Sequence, residues 1–377
     1  MAVQILPVSS KADMEDFLRL PFAIYRDDPH WVPPVLSYQR KFLDPAHGPF
    51  FEIGQAQYFL AKDQGRVVGR ISAHLNFAYE KHHDTDTGFF GFFECEDSPQ
   101  AAAALFDAAG QWAKLRGKTK LHGPLSFGIY DEVGLLVEGY HQRPIMMHTY
   151  NPPYYEELIT GYGFKKSFDW YAYAFRPHNI KPVAPQLRQR LADILAEQKV
   201  VIQQGNPKEF IKRSREVMEM FNTLWSKNWG HVPLTEAQFQ DFFMQLRPIV
   251  RPDLINFIIE RDELLAFNIQ VPDINITLHK TRGKLGPLGI LRLLYDSRVA
   301  PLRGARAVIM GVKKSHQWRR LHHALILNSI LTFLDHHPKI EYCDASLIPE
   351  SLTRWNKTLI MFGAERNRTF RLYDKAL

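Results

Sequence analysis

The clearest pattern along the chain is a short apolar run that gives way, through a basic turn, to apolar residues at helical spacing. Val308, Ile309, Met310 and Val312, with Gly311 among them, predict a buried strand. Lys313, Lys314, Ser315, His316 and Gln317 form the turn. From Trp318 onward, Leu321, Leu325, Ile326, Leu327, Ile330, Leu331 and Leu334 predict a helix with a broad apolar face. A strand feeding a helix through a tight basic turn gathers free backbone N–H groups and positive charge at one point, a setting that suits a phosphate or pyrophosphate. An ordinary strand–turn–helix unit with a solvated turn is the plainer alternative.

The same alternation runs through both halves. Residues 10–31 predict a helix ending at Asp27-Asp28-Pro29, followed by an extended Trp31-Val32-Pro33-Pro34. Tyr58 to Ala61 and Val67 to Ile71 flank Lys62-Asp63-Gln64-Gly65 as a β-hairpin. Gly88 to Phe93 predicts a strand, Ser98-Pro99 opens a helix that stops at Gly117, and Lys120 to Gly123 follows as a strand. The second half repeats the plan. A strand at Val200–Ile202 leads through Asn206-Pro207 into a helix ending near Trp225, then a hairpin from Ile255 to Ile269 around Arg261-Asp262. The strand and helix already described come next, then a strand at Ile340–Ala345, a helix through Trp355 and a last strand around Phe370–Tyr373. Residues 176–198, with three prolines and many charges, read as a linker. Tyr155, Gly163 and Tyr173 recur 200 residues later as Trp355, Gly363 and Tyr373, which points to an internal duplication.

Composition sharpens this into two α/β (α+β) domains, residues 1–178 and 179–377, each a mixed twisted sheet flanked by helices. The chain of 377 residues is 45% hydrophobic with 26 Phe, ample for two cores. Residues 1–178 carry 17 Lys+Arg against 21 Asp+Glu, whereas residues 179–377 carry 30 against 19. A basic second half implies an anionic partner: a phosphorylated co-substrate or an anionic membrane face. No nucleic-acid motif accompanies the charge. No signal peptide or membrane-spanning run is visible, and Cys95 and Cys343 read as buried thiols of a reducing compartment. His82-His83 with Asp84 and Asp86, and His336-His337, lack the spacing of a metal site.

The order hairpin, strand, basic turn, helix, strand, helix ending at glycine, final strand resembles the GNAT acyltransferase superfamily, present here in tandem. The usual cofactor loop of that family, Arg/Gln-x-x-Gly-x-Gly/Ala, corresponds to Gln317–Ala324, in which both glycines are replaced. In the first half the corresponding window, Glu94-Cys95-Glu96-Asp97, is acidic and also lacks glycine. Three further segments, Asp28 to Pro34, Asp131 to Tyr140 and Met146 to Tyr155, resemble a bacterial group of double-domain members, the YghO-like proteins, which includes ceramide synthases. The resemblance implies an N-acyltransferase that moves an acyl group from acyl-CoA, a co-substrate rather than a bound cofactor, to an amine, with a long-chain sphingoid base as the leading acceptor. A small-molecule or amino-acid acetyltransferase and a non-catalytic binding module are the alternatives. A cytoplasmic protein is expected, soluble or attached loosely to the inner face of the membrane.

Acylating an amine at pH 7 first requires stripping the ammonium of its proton, which costs roughly 4 kcal/mol for a pKa near 10. The thioester then needs a donor for its developing oxyanion, and the thiolate an acid or a nearby charge. Gly311, Val312, Lys313, Arg319 and Arg320 are the expected phosphate-binding residues. His322, His323 and Asp344 are candidate bases, and Tyr342 and Tyr373 candidate acids, each with a structural role as its plainer alternative. Asp131, Glu132 and Glu138 beside an apolar strip, with Asn151, Tyr154 and Tyr155, would suit a cationic head on a greasy chain.

Overall fold

The computed structural model describes residues 3–377 apart from Asn206, so the expected turn at Asn206 lies outside the described residues. Two compact units emerge. Unit 1 comprises the residues up to Tyr171 together with Arg368–Leu377, and unit 2 comprises Ala172–Asn367. The sequence places a division at residue 178, whereas in the structure Arg368–Leu377 packs with unit 1.

The sheet of unit 1 runs in the order Gln4–Pro7, Gly54–Asp63, Arg66–Asn76, Thr87–Cys95, Lys120–Gly123 and the C-terminal strand Glu365–Ala376, where Tyr373 pairs with Gly123. All neighbours are antiparallel except Thr87–Cys95 and Lys120–Gly123, which run parallel. Helix Pro99–Lys114 covers one face. Ser98 accepts from Ala101 N–H at its start, and Ala102, Leu105, Phe106 and Ala109 lock into a core with Phe90, Phe93 and Tyr155.

Unit 2 repeats the plan with Ile202–Gln204, Ile255–Glu260, Glu263–Pro272, Gly304–Val312 and Tyr342–Pro349, the last two again parallel. Helix Leu321–His336 drops Leu321 and Leu325 onto Ile258, Leu265, Ala266 and Val312. Both hairpins turn through two residues of positive φ, Gln64-Gly65 and Arg261-Asp262, the geometry that matches the twist of the flanking strands. The segment expected as a linker is largely a helix, Ala184–Gln198. Pro185 falls in its first turn, where no N–H is missed, and Leu187, Leu191, Ile194 and Leu195 pack with Ala324 and Leu327.

The duplication is visible in hydrogen bonds. Helix Tyr155–Gly161 ends with Gly163 N–H on Thr160 O (2.9 Å) and Phe164 N–H on Ile159 O (3.3 Å). Helix Thr353–Met361 ends with Gly363 N–H on Ile360 O (2.9 Å) and Ala364 N–H on Leu359 O (3.0 Å). Both glycines are left-handed, with φ of +101° and +84°, so each helix closes in the same Schellman turn. Gly363→Ala is expected to destabilise by about 1–2 kcal/mol, the cost of a side chain in that conformation, since Ile180 leaves room for the methyl group. An unchanged urea midpoint would mean that the turn relaxes to another cap.

Candidate active site

The parallel strands of unit 2 pair only from Gly304↔Tyr342 to Ala307↔Ala345. Beyond that point they part, and a cleft of about 830 Å³ opens between Val308–Val312 and Ser346–Pro349. Backbone groups of Val308–Val312 that point into the gap therefore have no strand partner on that side. The parallel pair of unit 1 also ends early, at Phe89↔His122, but its gap is filled. Gly91 lies so close to Leu125 that a Cβ would sit 2.0 Å from the Leu125 carbonyl oxygen. Phe127 stacks on Phe50 with centroids 4.1 Å apart and meets Phe92 edge-on.

The cleft of unit 2 has apolar walls. Leu224 and Trp225 come from helix Ser214–Trp225, Ile326, Ile330 and Phe333 from one face of Leu321–His336, and Leu347, Ile348 and Leu359 from the far side. Polar side chains interrupt these walls, among them Asn228, Gln270, Gln317 and Thr358. Asn268, fully buried, donates its Nδ2 to Ser329 Oγ (2.8 Å), and that hydroxyl donates to Leu325 O (2.9 Å). Asn268 Oδ1 accepts from no described residue, although the side chain borders the cleft. A buried acceptor without a donor costs about 1–3 kcal/mol, which an incoming N–H would recover. Among the described residues no Asp or Glu lines the cleft, and its titratable residues are His322, Cys343 and Arg354.

The basic turn forms a short 3₁₀ helix, Lys314–Arg319, before Leu321. Its charges are partly spent on neighbours. Lys313 pairs with Glu263, and Arg319 is buried, giving Nη2 to Gln198 O (2.5 Å) and to Glu260 (3.1 Å). Lys314 and Arg320 stay exposed, Arg320 with φ +56°, and no side chain caps the helix that follows. Gly311 and Val312 line the cleft, and the missing Cβ of Gly311 makes room for Phe267, whose ring it would meet at 2.6 Å. Arg354, at the start of helix Thr353–Met361, is exposed and borders the cleft; sequence reading passed over it because one arginine at a helix start is an ordinary surface residue.

Strand alternation places Cys343 and Ala345 on the cleft. Asp344 between them is fully buried beside its register partner Arg306 and accepts a hydrogen bond from Ser346 Oγ, and it does not line the cleft. Burial pulls the Arg306 guanidinium below its ordinary value while the Asp344 and Asp273 charges oppose the shift. Tyr342 donates to Asp273 Oδ2 (2.6 Å), also outside the lining. His322 does reach the cleft, where burial and then His323 push its pKa down to about 4. It is neutral at pH 7 and a weak base. His323 packs on the Phe362 ring, lowered first by burial and then by Arg190 and Arg320. Tyr373 belongs to unit 1, buried with its hydroxyl on Glu156 (2.8 Å).

Unit 1 holds a polar cluster of its own. Arg70 and Glu94 face each other in register on neighbouring strands, with Nη2 3.6 Å from the carboxylate. Tyr25 and Tyr155 both donate to Glu94 Oε2, at 2.7 and 2.8 Å. Tyr150 donates to Asp28 (2.8 Å), and Tyr25 stacks on Trp31, so the three segments that carried the closer resemblance meet here. Asn151 clamps the N–H and carbonyl of Leu136 (2.8 and 3.1 Å), and Tyr154 donates to Cys95 O (2.8 Å). These residues hold loops to strands. Glu132, surface-accessible on a short strand paired with Ser126, is hemmed in enough that burial pushes its carboxyl up to about 7 while the Arg70 charge opposes the shift, whereas Glu138 accepts from Thr369 (2.5 Å) and Asp131 N–H bonds Gly128 O (3.2 Å). Cys95 and Cys343 are buried free thiols, and burial raises Cys95 to about 12.

No protein-family model matches the chain. It is 34% identical over 371 residues to Protein YghO of Escherichia coli (strain K12), covering 98% of this chain and 94% of that one. It is 30% identical over 379 residues to the bacterial ceramide synthase of Caulobacter vibrioides, covering 100% and 98%. Among solved structures, a tandem GNAT protein from the clavulanic acid biosynthesis pathway matches with a TM-score of 0.56 at 12% identity, over 99% of this chain and 98% of that one. A GCN5-related N-acetyltransferase from Sphaerobacter thermophilus matches with a TM-score of 0.50 at 10% identity, over 99% and 95%. The fold is thus a tandem GNAT fold.

Proposed function

Because the chain belongs to the family of double-domain GNAT-like proteins that contains YghO and the Caulobacter ceramide synthase, we propose that it is an acyl-CoA-dependent N-acyltransferase whose acceptor is a long-chain amine of the sphingoid type. The observation that carries this reading is the apolar cleft where the strands of unit 2 part. A long acyl chain or alkyl amine loses water against Leu224, Ile326, Ile330 and Leu347, at about 0.8 kcal/mol per buried CH₂. Free amides of Val308–Val312 supply the oxyanion donors. Arg354, Lys314 and Arg320 are the cations left for phosphates.

The same walls answer the proton problem. With no carboxylate on the lining, the amine is not held as an ammonium, and desolvation favours its neutral form. The proton leaves to water at the mouth. The amine nitrogen then attacks the thioester carbon, the C–N bond forms as C–S breaks, the amide keeps one N–H, and the second proton ends on the departing CoA sulfur. Asn268 Oδ1 accepts from the attacking N–H and orients its lone pair.

Thermal shift separates the alternatives. Palmitoyl-CoA should stabilise by about 2.7 kcal/mol at a hundredfold excess over Kd, acetyl-CoA and CoA less. Amide should form with sphinganine. Stabilisation by acetyl-CoA alone, or by no thioester, rejects the proposal. Asn268→Leu should lower kcat/KM by ten- to a hundredfold, the span of one unmade buried hydrogen bond. An unchanged kcat/KM would remove Asn268 from the mechanism.

A further inference from the structure

The helix Pro287–Arg298 of unit 2 is apolar on its outer face as well as on its inner one. Leu288, Leu291, Tyr295 and the capping Val299 follow one another at spacings of three, four and four and are 82%, 63%, 54% and 68% exposed. Ile290 is also about half exposed. The face turned to the protein carries Leu293 and Leu294, both half-buried, beside the buried Ser297. Ser297 is buried and donates to Leu293 O (2.7 Å), Gly289 lies against the Lys284 backbone, and Asp296 binds Thr277 (2.8 Å). A helix in contact with water alone would carry polar residues along that outer stripe.

Charge beside this stripe is one-sided. Lys280, Arg282 and Lys284 precede the helix, all exposed and none in an ion pair among the described residues. The one acid of the segment, Asp296, is taken up by Arg292 (2.8 Å) and also feels the Lys280 charge, which forms no direct ion pair with it among the described residues. A second protein copy would have to match both a greasy stripe and three unpaired cations, whereas a bilayer with anionic head groups satisfies both at once. We propose that Lys280–Val299 is a membrane-surface docking element, with Leu288, Leu291 and Tyr295 entering the head-group boundary of an anionic bilayer and the three cations lying on its phosphates. The inference holds whether or not the acceptor is a sphingoid base. It gives a lipid-like acceptor a place to be collected.

Flotation of the full-length protein with vesicles tests it. The protein should float with phosphatidylcholine vesicles containing about 30% phosphatidylglycerol, float poorly with phosphatidylcholine alone, and release as salt rises from about 0.1 to about 0.5 M. The triple variant Lys280→Gln, Arg282→Gln, Lys284→Gln should lose on the order of a hundredfold in partitioning. The pair Leu288→Ser, Leu291→Ser should lose at least tenfold on the same vesicles. All five side chains are exposed, so melting curves should be unchanged. Absence of flotation by the wild type overturns the proposal, as does flotation of both variants at the wild-type level. A concentration-dependent dimer that Leu288→Ser, Leu291→Ser disperses, without vesicle binding, would instead assign the stripe to a second copy.

Discussion

Arg70→Met is expected to destabilise unit 1 by about 3–5 kcal/mol at neutral pH, the usual result of stripping one partner from a buried ion pair. The guanidinium is 5% exposed, donates to Phe17 O (2.7 Å) and stacks 4.7 Å above the Phe17 ring. Its removal leaves the Glu94 carboxylate in an apolar sheet with two tyrosine donors and no cation. Burial already pushes the Glu94 pKa up, and Arg70 is the first of the groups that oppose the shift. Without Arg70 the folded pKa rises further above the unfolded value. A carboxyl with a raised folded pKa contributes most below its unfolded pKa, and that contribution fades as pH rises toward the folded one. Urea unfolding should therefore show a deficit that is largest near pH 7 and shrinks toward pH 5. The double variant Arg70→Met, Glu94→Gln should recover more than half of it. A single variant within about 1 kcal/mol of wild type, or a deficit that ignores pH, would show that water reaches Glu94 and that the pair is not a buried one.

That ion pair was open to discovery in the sequence. Arg70 interrupts Val67-Val68-Gly69 and Ile71, Glu94 follows Phe92-Phe93, and two charges in adjoining apolar strands must face each other or remain uncompensated. The hairpins, the strand–helix–strand order and the glycine-ended helices were legible because each rests on local signals of period or turn chemistry. The site was less so, for a physical reason. A cluster of cations at residues 313–320 reveals charge but not its partners, and Glu260 and Glu263, which engage Arg319 and Lys313, lie 59 and 50 residues upstream of them on the hairpin. Asp344 is a similar case. Alternation establishes that it faces opposite to Cys343 and Ala345, yet only the parted neighbour strand decides which face meets the cleft. In Ala184–Gln198 the charges masked a narrow stripe of leucines and isoleucine that helix Leu321–His336 covers together with Ile202 and Phe362.

Ala345→Phe should abolish long-chain transfer, with a loss of at least a hundredfold in turnover, while the protein stays folded. Ala345 is the last residue in register before the strands separate, its methyl group borders the cleft, and it is only half-buried. A phenyl ring there projects into space between strands that have already parted, so it breaks no ladder and costs about 1–3 kcal/mol at most from overpacking. For a thioester the consequence is larger, because a carbonyl displaced by about 1 Å from its donors forfeits about a hundredfold in rate. Ala345→Gly, which keeps the space, should remain within a few-fold of wild type. Thermal stabilisation by palmitoyl-CoA should vanish in the Phe variant and persist in the Gly variant. If the Phe variant melts normally, still responds to palmitoyl-CoA and still turns over, the acyl chain does not lie between these strands, and the oxyanion donors assigned to Val308–Val312 lose their substrate with it.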